Sequence, residues 1–402
     1  MEIENQGRDY KTLTLVVLTV FVTFVVTFFG TIFFYLGNDE TRMRLMADSI
    51  DISDTAREID LKIELVREFL NHNYLGEIDE ETERRMIESA IRGFVAGLGD
   101  RYTEFLTEEE YRELMVQVSG SFEGIGIFMG QNREGYVVVL SPIDNSPAQE
   151  AGLQSGDIIL TVDGVEVKDM DITLVSRRIM GERGTTVEIE ILREEETFTE
   201  TITRRSIVIN SVRSEVLENR IGYIQLMSFN ENSAYEFESH LNRLRQQGIT
   251  SLIIDVRNNG GGVVDQVLEI ADLMVPRNEI LMISSSRENR ENIRRARTDA
   301  SLDMNIVLLI NNRSASASEI LAGALKDNEV ATLIGETTHG KGVMQEVRRL
   351  TSGGALKITI QEFKTPNGTP INEVGVEPNI VVEYDRETDI DEQLQKAIEY
   401  LT

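Results

Sequence analysis

The chain has 402 residues, 41% of them apolar, which suits roughly two to four domains with buried cores. Its 69 acidic against 40 basic side chains give a formal charge of −29, a balance that repels phosphate backbones and argues against nucleic-acid binding. Cysteine is absent and only His72, His240 and His339 are histidines, so disulfides, thiolate metal sites and cysteine nucleophiles are excluded. Any catalysis must come from oxygen or nitrogen chemistry that uses little histidine.

Thr12 to Leu36 is a run of 25 residues without a charge, rich in Val, Phe and Leu. At about 1.5 Å per residue a helix this long exceeds the roughly 30 Å hydrocarbon core, which predicts a transmembrane anchor at 12–36 behind a tail at 1–11. No small-x-small cleavage site follows between Gly30 and Asp39, so the anchor is expected to be retained. Arg8 and Lys11 before it balance Arg42 and Arg44 after it, and charge alone leaves its orientation open. Thr19, Thr23, Thr27 and Thr31 form a stripe that suits a second helix or bonds back to its own carbonyls.

Residues 39–118 keep apolar positions three or four apart, as in Ile63, Val66, Leu70 and Ile87, Ile91, Phe94, Leu98, and lack proline. This predicts a helical region, used for dimerisation or as a solvated arm. From 119 to 205 the period changes to short strands, Gly124 to Phe128, Tyr136 to Leu140, Asp157 to Val162, Val187 to Leu192 and Glu196 to Ile202, with helical stretches near Pro147 to Gly152 and Ile172 to Met180. Turns such as Asp163-Gly164 between strands this short predict a small barrel or sandwich. The segment resembles a PDZ domain through Gly124-Ile125-Gly126-Ile127, Ser146-Pro147-Ala148, Ala151-Gly152-Leu153 and Gly156-Asp157. In that fold the glycine turn presents backbone N–H groups to a peptide's terminal carboxylate while the peptide adds as a strand.

From 206 to 385 buried strands alternate with amphipathic helices, which predicts an α/β core. Leu252 to Ile254 lie in a strand ending in Asp255-Val256-Arg257, followed by Asn258-Asn259-Gly260-Gly261-Gly262 and a helix from about Val263 to Met274. Asn305 to Ile310 repeats the strand, and a helix runs from about Ser316 to Lys326. Residues 386–402 close the chain with a helix from Asp389 to Leu401.

The chemistry concentrates in two turns. Ser314-Ala315-Ser316-Ala317-Ser318-Glu319 places a serine at a helix N-terminus, where free N–H groups favour a developing oxyanion. Ser316-x-x-Glu319 is also a capping box, and by local pattern alone Ser316 reads as a cap. Gly335-Glu336-Thr337-Thr338-His339-Gly340-Lys341-Gly342 supplies a base. Lys341 serves if burial brings its pKa down from about 10.4. Gln345, four residues on, is placed to orient it, and His339 is the other candidate base. The same turn imitates a phosphate-binding Gly-x4-Gly-Lys loop, but Gly342 stands where a Ser or Thr hydroxyl should hold magnesium, and Val343 to Leu350 read as a strand.

With the upstream PDZ-like segment, Ser314 to Glu319, Gly340-Lys341-Gly342 with Gln345, and Asp255-Val256-Arg257-Asn258 with Gly261-Gly262 together resemble the carboxyl-terminal processing (tail-specific) serine peptidases. Further similarity lies in Leu98-Gly99-Asp100-Arg101-Tyr102-Thr103-Glu104-Phe105, Thr365-Pro366-Asn367-Gly368, Ile371 and Gly375-Val376-Glu377-Pro378. The resemblance covers nearly all of the chain after the anchor. It implies a multidomain α/β protein with a crotonase-like peptidase core, Ser316 as nucleophile, Lys341 as general base and Gln345 positioning the lysine. The oxyanion hole would use the N–H of Ala317 and of Gly261 or Gly262. It implies no metal or cofactor, substrates with free C-termini, a homodimer, and a single-pass cell-membrane protein with its catalytic domain outside the cytoplasm. Three departures stand out: Gly260 replaces a usual proline, His339 a common aromatic, and Met180 an arginine that many relatives carry. The rival expectation is a catalytically silent membrane-tethered PDZ scaffold or chaperone, which has no reason to keep Lys341 and Gln345 at this spacing. A trypsin-like PDZ protease is a weaker rival, because the chain lacks a Gly-x-Ser-Gly-Gly context.

Overall fold

The computed structural model describes residues 54–299, 302–384 and 390–402. The expected tail at 1–11 and anchor at 12–36 lie outside the described residues, among which no helix is long and apolar enough to cross a membrane. The chain divides into two units, 1–94 and 95–402.

The first unit carries helix α1 (Asp54–Asn73) and most of α2 (Glu80–Ala96). Asp79 opens α2 by accepting the Thr82 N–H at 2.8 Å, and Glu80, Glu81 and Glu83 in the first turn complement the helix dipole. Apolar spacing is kept, yet Leu61, Leu65, Val66 and Phe69 of α1 remain exposed.

In the second unit the expected helical region is interrupted. The Asp100 carboxylate accepts the Tyr102 N–H at 3.0 Å and the Thr103 hydroxyl at 2.6 Å, a local turn that competes with helix and leads into strand β1 (Glu104–Leu106). Helix α3 (Glu108–Ser119) then starts on a Thr107–Glu110 capping box and stops at Gly120 in the left-handed conformation.

The small β domain comprises β2 (Ser121–Gly124), β3 (Ile127–Gln131), β4 (Val137–Pro142), the one-turn helix α4 (Pro147–Glu150), β5 (Ile158–Val162), β6 (Val165–Glu166), α5 (Ile172–Ile179), β7 (Thr186–Arg193), β8 (Glu196–Thr203) and β9 (Arg205–Val208). Gly124 to Phe128, expected as one strand, is two: β2 pairs with β9, and β3 starts afresh as the outer strand of the order β3-β4-β5-β7-β8. In β7 the alternating Val187, Ile189 and Ile191 are fully buried, the period-2 pattern of a half-covered sheet. Asp163 and Gly164 both have positive φ, as the tight β5–β6 turn requires.

The larger domain contains β10 (Val212–Leu217), β11 (Ile221–Leu226), α6 (Ser233–Gln246), β12 (Ser251–Asp255), α7 (Val264–Asp272), β13 (Ile280–Ser286), β14 (Glu291–Arg295), β15 (Asn305–Ile310), α8 (Ala317–Asp327), β16 (Thr332–Gly335), β17 (Val343–Arg349), β18 (Ala355–Lys364), β19 (Ile380–Val381) and α9 (Glu392–Leu401). Its main sheet has the order β10-β11-β12-β15-β16-β19, parallel except for the β10–β11 pair. Leu252, Ile254, Ile306 and Leu308 pack with α6, α7 and α8, while Ile253, Val307, Leu309 and Ile334 pack with α9 around Ala397. Both faces are covered, which is why these strands read as unbroken apolar runs. A second, antiparallel sheet is built on β18: β17 lies along one edge, and β13 and β1 share the other. The β13–β14 hairpin and the recruitment of β1 were not legible in the sequence pattern.

Arg257 ties α9 to the main sheet. Its guanidinium bonds Asp255 at 2.7 Å and Asp391 at 2.7 Å, and Asp391 also accepts the Leu394 N–H at 2.9 Å. Burial opposes ionisation of Asp391, but the Arg257 bonds prevail and hold its carboxyl below the usual range. The adjoining polar cavity of about 480 Å³, lined by residues such as Asn258, Asn311 and Arg313, contains neither Ser316 nor Lys341.

Candidate active site

Ser316 lies where β15 hands over to α8, at φ 54° and ψ −111°, a strained backbone for a residue with a side chain. Neighbours hold it there. The Ser314 hydroxyl donates to Val256 O at 2.8 Å and accepts the Asn311 N–H at 3.0 Å, while the Ala315 N–H and the Ser318 hydroxyl both reach Asn259 O, at 3.0 and 2.9 Å. Ser316 and Glu319 keep the capping-box arrangement, with the Glu319 carboxylate accepting the Ser316 N–H at 2.8 Å.

Glu319 is the hub of the site. It is fully buried, and besides the Ser316 N–H its carboxylate accepts the Thr338 hydroxyl at 2.6 Å, the Gly340 N–H at 2.6 Å and the Lys341 N–H at 2.9 Å. A buried carboxylate demands such donors, and meeting that demand draws the lysine turn onto the start of the serine helix. Gly342 lets the turn close, since a Cβ there would lie 2.2 Å from the Asn372 backbone nitrogen. His339 donates its N–H to Ser314 O at 3.0 Å while its side chain is exposed.

Lys341 is partly buried. Burial, reinforced by the like charge of Lys357, pushes its amine below the usual lysine range, and Glu104 and Glu319 oppose this more weakly. Its Nζ has no carboxylate in salt-bridge contact among the described residues; it lies 5.0 Å from the centroid of the Tyr102 ring. Gln345 is on β17, which begins at Val343, so strand periodicity reaches the glutamine but not the lysine turn. Among the described residues its amide Nε2 is buried without a partner, as is the Tyr102 hydroxyl. The structure thus brings the Ser316 and Lys341 loops to one carboxylate, while no hydrogen bond joins Ser316 Oγ, Lys341 Nζ and the Gln345 amide.

The glycine loop after β12 packs on the serine turn. A Cβ on Gly261 would lie 2.8 Å from both Ser316 Cβ and Ala315 O, so only glycine allows this approach. The Gly261 N–H is taken by Asn259 Oδ1 at 2.9 Å, and Asn259, itself fully buried, donates its amide to Leu226 O at 2.9 Å. Among the described residues no hydrogen bond engages the N–H of Ala317 or of Gly262. A cavity of about 410 Å³ opens beside Gly260, Gly261 and Gly262, walled by Leu114, Val116 and Val118 of the α3 region and by Ile209 and Phe229. Sequence reasoning missed Asn259 entirely and saw Glu319 only as a capping partner. The available signal was that an acid inside an apolar helix such as ASEILAGALKD must find internal donors.

In the small domain the carbonyls of the glycine turn are consumed internally. Ile125 O accepts the Ala148 N–H at 2.9 Å, and Gly126 O accepts the Ile143 N–H at 2.9 Å and the Ser146 hydroxyl at 3.0 Å. Gly124 closes β2, Ile125 is fully buried, and Ile127 opens β3, which is paired on one edge only. Between α5 and α3 lies a cavity of about 420 Å³ lined by residues including Val116, Phe122, Ser176 and Met180. Arg177 of α5 bonds the Glu109 carboxylate of α3 through two nitrogens, one at 2.6 Å.

A small β domain with one open strand edge, joined to a doubly covered α/β domain that meets a serine turn with a buried lysine turn, defines a PDZ-containing serine peptidase. Residues 220–382 match the model of peptidase family S41, and residues 138–193 match a PDZ domain. The chain is 32% identical over 387 residues to a carboxyl-terminal-processing protease of Synechocystis sp., covering 92% of this chain and 90% of that one. It is 30% identical over 377 residues to the carboxy-terminal processing protease CtpA of Bacillus subtilis, covering 94% and 78%. A solved structure titled photosystem II D1 C-terminal processing protease has 31% identity and a TM-score of 0.48, with 82% and 89% covered. The chain belongs to the carboxyl-terminal-processing protease family, within peptidase family S41.

Proposed function

We propose that this peptidase cleaves proteins near their C-termini through a dyad of Ser316 and Lys341, and that it does so tethered to a membrane by residues 12–36. The observation that carries the dyad is the shared Glu319 carboxylate, which binds the backbone N–H of both residues. Lys341, deprotonated within its pocket, takes the proton of Ser316 Oγ as the oxygen attacks the scissile carbonyl. The Ala317 N–H, with that of Gly262 or a released Gly261, stabilises the oxyanion. Lysine returns the proton to the departing amine, and a water then splits the acyl-enzyme by the same exchange. Gln345 orients the lysine when the site closes.

The PDZ domain captures the substrate's terminal carboxylate on the turn Gly124-Ile125-Gly126-Ile127, with the tail adding beside β3. Occupancy reaches the dyad through α3, whose Glu109 grips α5 and whose Val116 lines both the cavity at α5 and the one at the glycine loop. Exposed apolar residues on α1 support a homodimer, and the catalytic domain is assigned to the side of the membrane outside the cytoplasm.

The test is covalent. An electrophilic phosphonate probe is expected to label Ser316 in the wild-type chain and nothing in Ser316→Ala; labelling that survives the substitution would remove the nucleophile assignment and favour a silent PDZ scaffold. Amidating the C-terminus of a peptide substrate is expected to weaken its capture at least tenfold, and equal binding of acid and amide would remove the carboxylate role of the turn.

A further inference from the structure

We propose that Tyr102 is a positioning residue of this peptidase, its ring forming the wall that keeps water from the Lys341 amine. The inference rests on the Ser316–Lys341 dyad. Tyr102 comes from the segment upstream of the PDZ domain, remote in sequence from both proposed catalytic turns, yet its ring centroid is 5.0 Å from Lys341 Nζ. Among the described residues no carboxylate is in salt-bridge contact with that amine, Glu104 being paired with Lys357.

The ring is held there by a built turn. The Tyr102 N–H donates to Asp100 Oδ1 at 3.0 Å, the Thr103 hydroxyl donates to Asp100 Oδ2 at 2.6 Å, and the Thr359 N–H donates to Thr103 Oγ1 at 3.1 Å. The next residue, Glu104, pairs with Lys357 of β18 in register and through a 2.8 Å ion pair. Thr359 in turn stands opposite Gln345 in the β17–β18 register. The turn carrying Tyr102 is therefore zipped onto the strand that backs the lysine and its orienting glutamine. Among the described residues the Tyr102 hydroxyl and Gln345 Nε2 are buried without a partner, and neither is hydrogen-bonded to the amine.

Two effects of the ring oppose each other. Its electron-rich face favours the ammonium, while its bulk excludes the water that would solvate a charge. Exclusion dominates where no anion contacts the amine, and burial is the leading cause of the lowered lysine basicity. Other charges facing Lys341 are Lys357 on β18, Glu104 on β1 and Glu319 on α8; the Arg101 guanidinium lies 4.7 Å from the centroid of the same Tyr102 ring, and Glu373, on the loop packed against Gly340, is exposed. Lys357 lowers the amine's basicity more than Glu104 restores it, and the ring is the uncharged part of that surround.

The experiment measures kcat/KM against pH for the full-length chain, using a quenched fluorescent peptide with a free α-carboxylate. In Tyr102→Ala the acid limb is expected to move up by about one pH unit, which is about a tenfold loss at neutral pH that is recovered in alkaline buffer. Tyr102→Phe, which restores the ring, is expected to return the limb to its wild-type position. A loss in Tyr102→Ala that is uniform across pH, or an unmoved limb, would overturn the proposal, and Tyr102→Leu repeats the test with a smaller packing change if the alanine variant melts early. Lys341→Ala in the same assay separates the two levels: activity there defeats the dyad itself, whereas an inactive Lys341→Ala with an unmoved Tyr102→Ala limb defeats only the role of the tyrosine.

Discussion

The serine half and the lysine half of the site are built on opposite principles. Around Ser316 the supporting side chains are spent: Ser314, Ser318, Asn259 and Glu319 are buried and hydrogen-bonded, and together they hold a strained backbone in place. In the lysine half, Gln345 Nε2 and the Tyr102 hydroxyl are buried with no partner among the described residues, and the amine faces an aromatic ring. A saturated network rigidifies, whereas unspent groups cost stability and wait for a partner. The difference places preorganisation in the serine turn and the remaining adjustment in the lysine turn, the side nearer the segment that leads to the PDZ domain.

Substitutions that remove polar groups from each half break or sharpen this contrast. Lys341→Met is expected to lower turnover by about 10²- to 10⁴-fold while the melting temperature at neutral pH holds or rises. The sign follows from linkage. Because the folded chain binds this proton more weakly than the unfolded chain, the lysine destabilises the fold below its depressed pKa, and the deficit fades as pH rises toward the unfolded value. A clear drop in melting temperature would contradict an unsatisfied lysine half. Glu319→Ala should do the reverse, costing about 3 kcal/mol or more of stability in denaturant titration because buried donors from both turns lose their acceptor. Near-native stability of that variant would show that the serine half does not depend on its hub.

Smaller effects follow. Gln345→Leu is expected to reduce kcat about tenfold with little change in stability, since its Nε2 gives up no bond; unfolding at lower denaturant would reveal a hidden partner. Arg177→Ala removes a partly exposed ion pair, worth no more than about 1 kcal/mol, so melting should barely move. If α3 carries the PDZ signal, however, that variant should show a changed ratio between cleavage of tailed and amidated peptides. An unaltered ratio would detach α3 from gating.

Much of the site was legible before any coordinates. Ser316 at the head of an apolar helix, Lys341 between glycines, Gln345 beyond it and the glycine run after Arg257 all stand out by local chemistry. So do the strands Ser251–Asp255 and Asn305–Ile310, whose continuous apolar character marks burial on both faces. The three-residue strand Glu104–Leu106 did not stand out, because it abuts helical periodicity and its partner Lys357 lies 253 residues away. Gly261 and Gly262 also look alike in sequence, and the structure separates them because the Asn259 side chain occupies the Gly261 N–H.

The sequence by itself determined periods, turns, the class of chemistry and the residues able to perform it, since each follows from side-chain type and short spacing. Only the tertiary structure decided which buried donors meet which acceptors: that one glutamate joins the serine and lysine turns, that an asparagine sorts the glycines, and that the ring of a tyrosine from upstream of the PDZ domain lies by the lysine. Those pairings depend on distances between segments far apart in the chain, and local pattern carries no information about them until the sheets and helices have packed.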